Sequence, residues 1–184
     1  MKARKAKWLA PAVAALFASG LALAETSPYA GLERRDIRTL SQKDMSDLLA
    51  GRGAGYALAA ELNGHPGPLH VLELAAPLGL TANQRTETQA VFDTMNAEAR
   101  TIGAEIVAAE RALNDAFAKA SLDKAALARR SEDIGRLYGR YRAAHLKAHL
   151  DMTALLSPQQ TALYSRLRGY GSPSSASPHH PGKH

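Results

Sequence analysis

Two copies of one five-residue pattern, Leu80-Thr81-Ala82-Asn83-Gln84 and Leu156-Ser157-Pro158-Gln159-Gln160, frame a long proline-free stretch of this 184-residue chain. In each copy a hydroxyl residue precedes a glutamine by three positions. This is the spacing of a capping box, in which the two residues satisfy free backbone N–H groups at the start of a helix. Each pattern therefore predicts a helix N-terminus, and we expect structural capping roles for Thr81, Gln84, Ser157 and Gln160.

The stretch between the two copies has the apolar spacing of long helices. Steps of three and four residues, the period of one helical face, separate its apolar side chains. They are Val91, Met95, Ala99, Ile102, Ile106, Ala109, Leu113 and Phe117, then Leu127, Ile134, Tyr138, Tyr141, His145, Met152 and Leu155. A break is expected at Ala120-Ser121, with Ser121 capping the second helix. Two such helices joined by a short turn predict an antiparallel hairpin with arms of about 50 Å.

The flanking segments predict shorter helices. A capping box at Ser41 and Asp44 opens a helix that we expect to run from Met45 to Leu62, kinked at its glycines, and a second short helix is expected from Leu69 to Leu78. A last helix should follow the second motif and end at Gly169. The predicted fold class is all-α: a long antiparallel hairpin with a shorter N-terminal helix and a short C-terminal helix. One two-helix layer leaves a face uncovered, so it needs either its N-terminal helix or a second subunit to cover that face, the second case being a homodimer.

The first residues predict secretion. Four basic residues in positions 1–7 precede an apolar run from Trp8 to Leu23, which ends in the small-x-small pattern Ala22-Leu23-Ala24. This is the pattern of a signal peptide cleaved after Ala24, and it predicts a periplasmic protein. An uncleaved anchor is the alternative, but the run is short for a membrane span. We divide the chain into a signal peptide (1–24), an N-terminal arm with short helices (25–79), the hairpin domain (80–169) and a disordered, histidine-containing tail (170–184).

The composition narrows the function. Without residues 1–24 the chain keeps 19 Lys and Arg against 17 Asp and Glu, a net charge of +2 instead of +6. The basic balance is therefore mostly a targeting feature, and we expect no nucleic-acid partner. The absence of cysteine excludes thiol chemistry. We find no catalytic arrangement and expect a protein that binds other molecules and is not an enzyme.

The two motifs, the signal peptide and the lack of cysteine resemble the LTxxQ family of periplasmic proteins. That family includes the Spy/CpxP-like stress chaperones and related zinc-resistance and heavy-metal-sensor proteins. The resemblance implies a four-helix subunit that often dimerises into a curved cradle. It also implies either clients held without ATP or zinc, nickel or cobalt bound through histidines.

One candidate metal site is the pair His145 and His149. Their i, i+4 spacing places both imidazoles on one helical face, near enough to share a divalent ion. The hairpin register puts Asp93 nearest among the acids, and Glu61, His65, His70 and Glu73 can fold over from the N-terminal segment. The alternative is a hydrogen-bonded, structural pair. The tail histidines are a second place for weak metal capture, or simply part of a solvated terminus.

A basic stripe is the candidate client-binding surface. It consists of Arg129, Arg136, Arg140 and Lys147, which fall close together on the helix face opposite Ile134. Such a stripe is either a solvated face or a surface that attracts acidic partners and clients.

Three functions follow. The first is an ATP-independent periplasmic chaperone of the envelope stress response, whose partners are unfolded or misfolded envelope proteins or a membrane-bound sensor protein. The alternative is a heavy-metal-binding or metal-sensing protein of the same fold. A third is a non-enzymatic helical adaptor. No cofactor is required by the first and third, whereas the second uses zinc, nickel, cobalt or copper.

Overall fold

A computed structural model describes residues 27–170, and within that range every regular element is helical. The chain divides into two compact units, residues 1–33 and 34–184. In the described part of the first, the Ala30 N–H donates to the Ser27 carbonyl in a turn. The second carries all six α-helices: α1 (Gln42–Leu49), α2 (Leu58–Glu61), α3 (Pro68–Glu73), α4 (Ala82–Ala118), α5 (Lys124–Leu155) and α6 (Pro158–Leu167). The predicted all-α class is confirmed, whereas the signal peptide and nearly all of the tail lie outside the described residues.

The long hairpin is formed by α4 and α5, which have 37 and 32 residues and are therefore about 55 and 48 Å long. The second arm begins later than predicted. Ala120 adopts a left-handed φ of 48°, and Ser121 donates its hydroxyl to the Ala116 carbonyl at the end of α4. Ser121 thus finishes the first arm, and Asp123 is the N-cap of α5, accepting from the Ala126 N–H at 2.7 Å. None of the helices among residues 27–170 is long and apolar enough to cross a membrane.

The predicted single helix from Met45 to Leu62 is wrong. It is two helices, α1 and α2, separated by a loop at residues 50–57. Gly51, Ala54 and Gly55 all have positive φ values there, so the chain leaves the helical conformation altogether and does not merely kink. The helix predicted from Leu69 to Leu78 is α3, which starts at Pro68 and already ends at Glu73.

Two apolar clusters hold the short helices on the hairpin. The first joins the α1 region to the middle of the hairpin, through Ile37, Leu40, Leu48, Ala99, Ile102, Ile106 and Tyr141. Gly103 makes this approach possible, because a Cβ at that position would lie 2.0 Å from the Leu48 carbonyl oxygen. The second cluster joins α3 and α6 to the end of α5, through Val71, Leu78, Met152, Leu156 and Tyr164. Dimerisation stays a prediction.

The two motif glutamines do more than cap their helices. Both capping boxes form as predicted, with Thr81 paired to Gln84 and Ser157 paired to Gln160. In addition, the two amides bond each other: Gln84 Nε2 donates to Gln160 Oε1 at 2.9 Å, and Gln160 Nε2 donates to Gln84 Oε1 at 3.0 Å. Gln84 also donates to the Leu155 carbonyl. The start of α4, the end of α5 and the start of α6 are therefore tied at one point.

This amide pair predicts coupled stabilities. Gln84→Ala and Gln160→Ala should each lower the free energy of unfolding by about 1–3 kcal/mol, because each leaves part-buried polar groups without partners. The double variant should lose less than the sum, by about 0.5–3 kcal/mol, since both substitutions remove the same contact. Gln89→Ala, on the exposed face of α4, is the control and should change stability by no more than about 0.5 kcal/mol. Strict additivity in urea unfolding would contradict the coupling.

Candidate functional site

A cavity of about 640 Å³ lies between the short helices and the hairpin. The loop of residues 50–55, helices α2 and α3, and the middle of both hairpin arms contribute to its wall. On α5 the buried face runs from Tyr141, in the first apolar cluster, to Met152, in the second. The residues between them on this face include His145 and His149, which both line the cavity. The predicted histidine pair is therefore buried where the two apolar clusters leave a gap.

His149 is held in one tautomer. Its Nδ1 lies 2.7 Å from the backbone carbonyl oxygen of His65, which can only accept a hydrogen. Nδ1 therefore carries the proton in the neutral ring, and Nε2 keeps its lone pair. A carbonyl on one ring nitrogen is the usual arrangement that orients a metal-binding imidazole through the other nitrogen.

His145 has buried nitrogens without partners. Its side chain is 4 % exposed, and neither Nδ1 nor Nε2 has a hydrogen-bond partner among residues 27–170. The ring stacks on Tyr141, with 4.8 Å between ring centroids. Burial lowers the pKa of His145 to about 4, and the neighbouring His149 contributes to the same shift. The ring is therefore neutral at physiological pH, which is the form that binds a metal.

Glu61 is the buried acid of the cavity. Its Oε1 accepts from the hydroxyls of Tyr164 at 2.6 Å and Tyr170 at 2.9 Å, and Arg168 Nε lies 3.5 Å away. Its Oε2 is buried, has no hydrogen-bond partner among the residues that the structure describes, and lies 3.7 Å from His149 Nδ1. Burial, followed by the hydrogen bond to Glu61, raises the pKa of Tyr164, so this hydroxyl stays a donor. One carboxylate oxygen thus accepts two hydroxyl hydrogen bonds, whereas the other has no hydrogen-bond partner in the described part of the chain.

Two glycines lie closely against these side chains. A Cβ on Gly67 would lie 3.0 Å from His149 Cε1, 3.2 Å from His149 Nε2 and 3.5 Å from Glu61 Oε2, so a side chain there would crowd the histidine ring. The glycine therefore lets the backbone come close to both His149 and Glu61. A methyl group on Gly53 would lie 3.2 Å from His145 Cδ2 and 3.7 Å from His145 Nε2.

The other predicted metal ligands, Asp93, His65 and His70, have hydrogen-bond partners of their own. Asp93, predicted as the nearest acid, is exposed and accepts a hydrogen bond from Gln89 at 2.9 Å. Glu61 takes that place, because α2 packs against α5. His65 contributes its carbonyl, whereas its ring bonds Thr153. His70 lies at the cavity wall with its Nδ1 2.8 Å from Glu73. Within residues 27–170 no three His, Asp or Glu side chains form a ready-made metal site.

The basic stripe is exposed, and two of its four residues form ion pairs with acids. Arg136 forms ion pairs with Glu132 and Asp133, and Arg140 forms one with Glu105 at 3.1 Å. Arg129 and Lys147 are exposed on the same helix. These i, i+3 and i, i+4 contacts, and the one across the hairpin, are typical of a solvated helical face.

Sequence reasoning missed the residues that hold Glu61. Tyr164, Arg168 and Tyr170 follow the second motif, and nothing in their local pattern indicates a partner about a hundred positions earlier. Nothing in the sequence around Gly53 and Gly67 indicated that these glycines would line a cavity. A Pro66-Gly67-Pro68 sequence is equally typical of a plain linker.

Comparison with known proteins gives one match. A family model described as heavy-metal resistance matches residues 48–162. The match includes both motifs and also α2 and α3, so it covers Glu61, His65, Gly67 and the histidine pair. It supports the resemblance to the LTxxQ proteins that the two motifs indicated. No curated protein and no solved structure matches the chain.

The low pKa of His145 predicts a pH-dependent stability. The unfolded chain takes up a proton on this residue near pH 6.5, whereas the folded chain resists it until about pH 4. Stability should therefore fall as the pH is lowered through this window, and be unaffected by His145 above it. His145→Phe, which keeps a ring against Tyr141, should show a shallower fall in the free energy of unfolding. His70→Ala, which removes a partly exposed histidine, is the control, and parallel wild-type and His145→Phe curves would contradict the assignment.

Proposed function

This chain belongs to the heavy-metal resistance family, and from that premise we propose that it binds a transition-metal ion in the cavity between α2, α3 and α5. One observation carries the proposal: among residues 27–170, two residues that line the cavity have buried side-chain atoms without hydrogen-bond partners. They are His145, whose two ring nitrogens both have no partner and of which one keeps a lone pair in the neutral ring, and Glu61, through its Oε2; the buried Nε of Arg168 has no partner either. Beside them, His149 Nε2 has its lone pair free because Nδ1 donates to a carbonyl.

A purely structural role for His145 and His149 explains these unpartnered atoms less well. Buried polar side chains in folded proteins are nearly always hydrogen-bonded, and leaving one without a partner costs about 1–3 kcal/mol. A histidine kept only for packing would be bonded, as His65 is to Thr153. A cation in the cavity would give a partner to the lone pair of one His145 nitrogen or of Glu61 Oε2, so metal binding would give these buried atoms a use.

The donor set favours borderline metals and reversible binding. Imidazole and carboxylate suit zinc, nickel, cobalt and copper, and the cavity wall also contains the thioether of Met95, a soft ligand. The guanidinium of Arg168 adjoins Glu61 and opposes an incoming cation. This balance favours capture and release over permanent storage. A metal bound here would give partners to buried polar atoms of the cavity wall and would stabilise the packing of α2 and α3 on α5.

Metal binding predicts a stability gain that depends on the pair. Zinc or nickel should raise the melting temperature of the chain from Glu25 onwards, since a ligand bound only by the folded state stabilises it by mass action. His145→Ala with His149→Ala should abolish the gain, as measured by calorimetric titration and thermal unfolding.

Two further variants separate loss of the metal site from a general effect of losing a histidine. Gly67→Ala keeps both histidines and has a backbone conformation open to alanine, yet its methyl group should weaken binding by crowding His149 Nε2 and Glu61 Oε2. His70→Ala, at the cavity wall, should bind like the wild type. Unchanged binding in both the double variant and Gly67→Ala would refute the proposed site.

Client binding is the second candidate, and exposed leucines favour it. Leu58 is 52 % exposed and Leu69 is 46 % exposed, and both line the cavity. Leu62, one turn from Leu58 on α2, is 60 % exposed. Apolar side chains grouped in this way are typical of surfaces that bind other proteins. An ATP-independent periplasmic chaperone would hold unfolding envelope proteins here, and the basic stripe, two of whose four residues are paired with acids, would contribute less.

This second function predicts a specific loss. Leu58→Ser with Leu62→Ser should reduce the suppression of aggregation of an unrelated unfolding protein while leaving helicity and melting temperature nearly unchanged. Leu150→Ser with Leu167→Ser removes two leucines that are 59 % and 44 % exposed on other helices, and it serves as the matched control. Equal activity in both double variants and the wild type would exclude the leucine surface.

A further inference from the structure

The cavity that contains the histidine pair is far larger than a metal ion, and its wall carries a guanidinium. Arg168 lines it together with His145, His149 and Glu61. We propose, on the basis of the metal-binding function above, that the cavity binds its metal as a complex with a small carboxylate-bearing chelator of the amino-acid class, and that Arg168 binds the carboxylate. The preferred guest would then be the chelated metal, with the bare ion bound more weakly.

The donor groups of the wall leave a bound metal with open coordination positions. Zinc sites in proteins use three or four protein ligands. Within residues 27–170, no three His, Asp or Glu side chains lie close enough together to hold one ion. The described wall therefore offers at most two ligands of these kinds to one ion. The remaining positions are open to donors that the metal brings with it.

The charges of the wall also disfavour a bare cation. Among the described residues that line the cavity, Glu61 carries the only carboxylate, and Arg168 Nε lies 3.5 Å from its Oε1. The other guanidinium of the wall, on Arg52, is paired with Asp47 at 3.0 Å. A bare divalent ion would therefore bring two uncompensated positive charges into a nearly neutral site, which is costly where water is excluded. A carboxylate on the guest offsets part of that charge.

Arg168 is held in position to bind such a carboxylate. Its Nη2 donates to the Tyr170 hydroxyl at 3.4 Å, and its guanidinium carbon lies 5.8 Å from the centre of the Tyr170 ring. A guanidinium has five N–H donors, and this is the one hydrogen bond that Arg168 donates within residues 27–170. Its side chain stays 31 % exposed and lines the cavity, so donors remain for a guest. Two parallel N–H donors on one guanidinium match the two oxygens of a carboxylate.

The size and the lining of the cavity fit a small organic guest. The cavity has a volume of about 640 Å³. Sites for small molecules have about 300–1,000 Å³, whereas one water molecule takes up about 30 Å³. Leu69, Phe92 and Met95 contribute apolar surface to the wall, next to its few polar groups. The hydrocarbon part of a chelator would contact this apolar surface while its carboxylate meets Arg168.

The test uses two chelators that differ only in the carboxylate. Histidine and histamine share the imidazole and the amine that chelate zinc, but histamine has no carboxylate. Equilibrium dialysis of each radiolabelled chelator against the protein, with and without zinc, measures how much chelator the protein retains. With zinc we expect about one histidine per chain, bound at least about tenfold more tightly than histamine, because a hydrogen-bonded ion pair is lost with the carboxylate. Without zinc we expect no retention of either.

Two arginine variants locate the carboxylate contact. Arg168→Gln removes the charge and should weaken the zinc-dependent retention of histidine at least about tenfold, while the retention of histamine changes little. Arg166→Gln replaces an exposed arginine of α6 and is the matched control, which should retain histidine like the wild type. Thermal unfolding shows whether Arg168→Gln is folded, and the comparison of the two chelators on the wild type needs no variant.

The outcomes separate this inference from the proposed function. If zinc binds through His145 and His149 but no histidine is retained, or histidine and histamine bind equally, the metal site stands and the chelator inference is overturned. Equal retention of histidine by the wild type and a folded Arg168→Gln also overturns it. Retention of histidine without zinc would show a site for the free amino acid, which contradicts the complex. If neither zinc nor histidine binds, the proposed metal site and this inference fail together.

Discussion

The hydrogen-bonded pair of amides at Gln84 and Gln160 is the contact on which the rest of the site depends. Each glutamine caps its own helix and hydrogen-bonds the other, so the start of α6 is fixed against the start of α4 and the end of α5. Because α6 is fixed, Tyr164 lies in the second apolar cluster with its hydroxyl 2.6 Å from Glu61. The two copies of the motif thus fix the position of α6, and through Tyr164 they help to hold the Glu61 carboxylate in the buried cavity.

At the cavity, the buried face of α5 carries polar side chains where apolar ones would pack better. Elsewhere the buried face of α5 carries Ile134, Tyr141 and Met152, of which Tyr141 belongs to the first apolar cluster and Met152 to the second. Between the two clusters it carries histidines, and the opposing helix α2 contributes Glu61. An apolar side chain at position 145 would avoid burying two ring nitrogens that have no partner within residues 27–170. A sequence that breaks a local rule of packing at one place, and obeys it on either side, indicates a site kept for function.

Local patterns predicted the hairpin, its capping boxes and the histidine pair, because helical periodicity and caps are written within a few neighbouring residues. They failed where conformation depends on single residues or distant contacts. Asp123 replaced Ser121 as the N-cap because Ala120 adopts a left-handed conformation. The loop at residues 50–57 likewise depends on backbone conformations that periodicity does not report. Glu61 meets Tyr164 across 103 positions, and only the packing of α2 against α5 reveals it as the acid of the site in place of Asp93.

We propose that the metal binds between α2, α3 and α5 and not on the surface. Anomalous scattering from crystals grown with zinc can decide this, because the signal locates the ion without reference to any variant. We expect the strongest peak beside Gly67, about 2.0–2.1 Å from His149 Nε2 and within coordination distance of Glu61 Oε2. A strongest peak at His70 and Glu73, with none in the cavity, would contradict it.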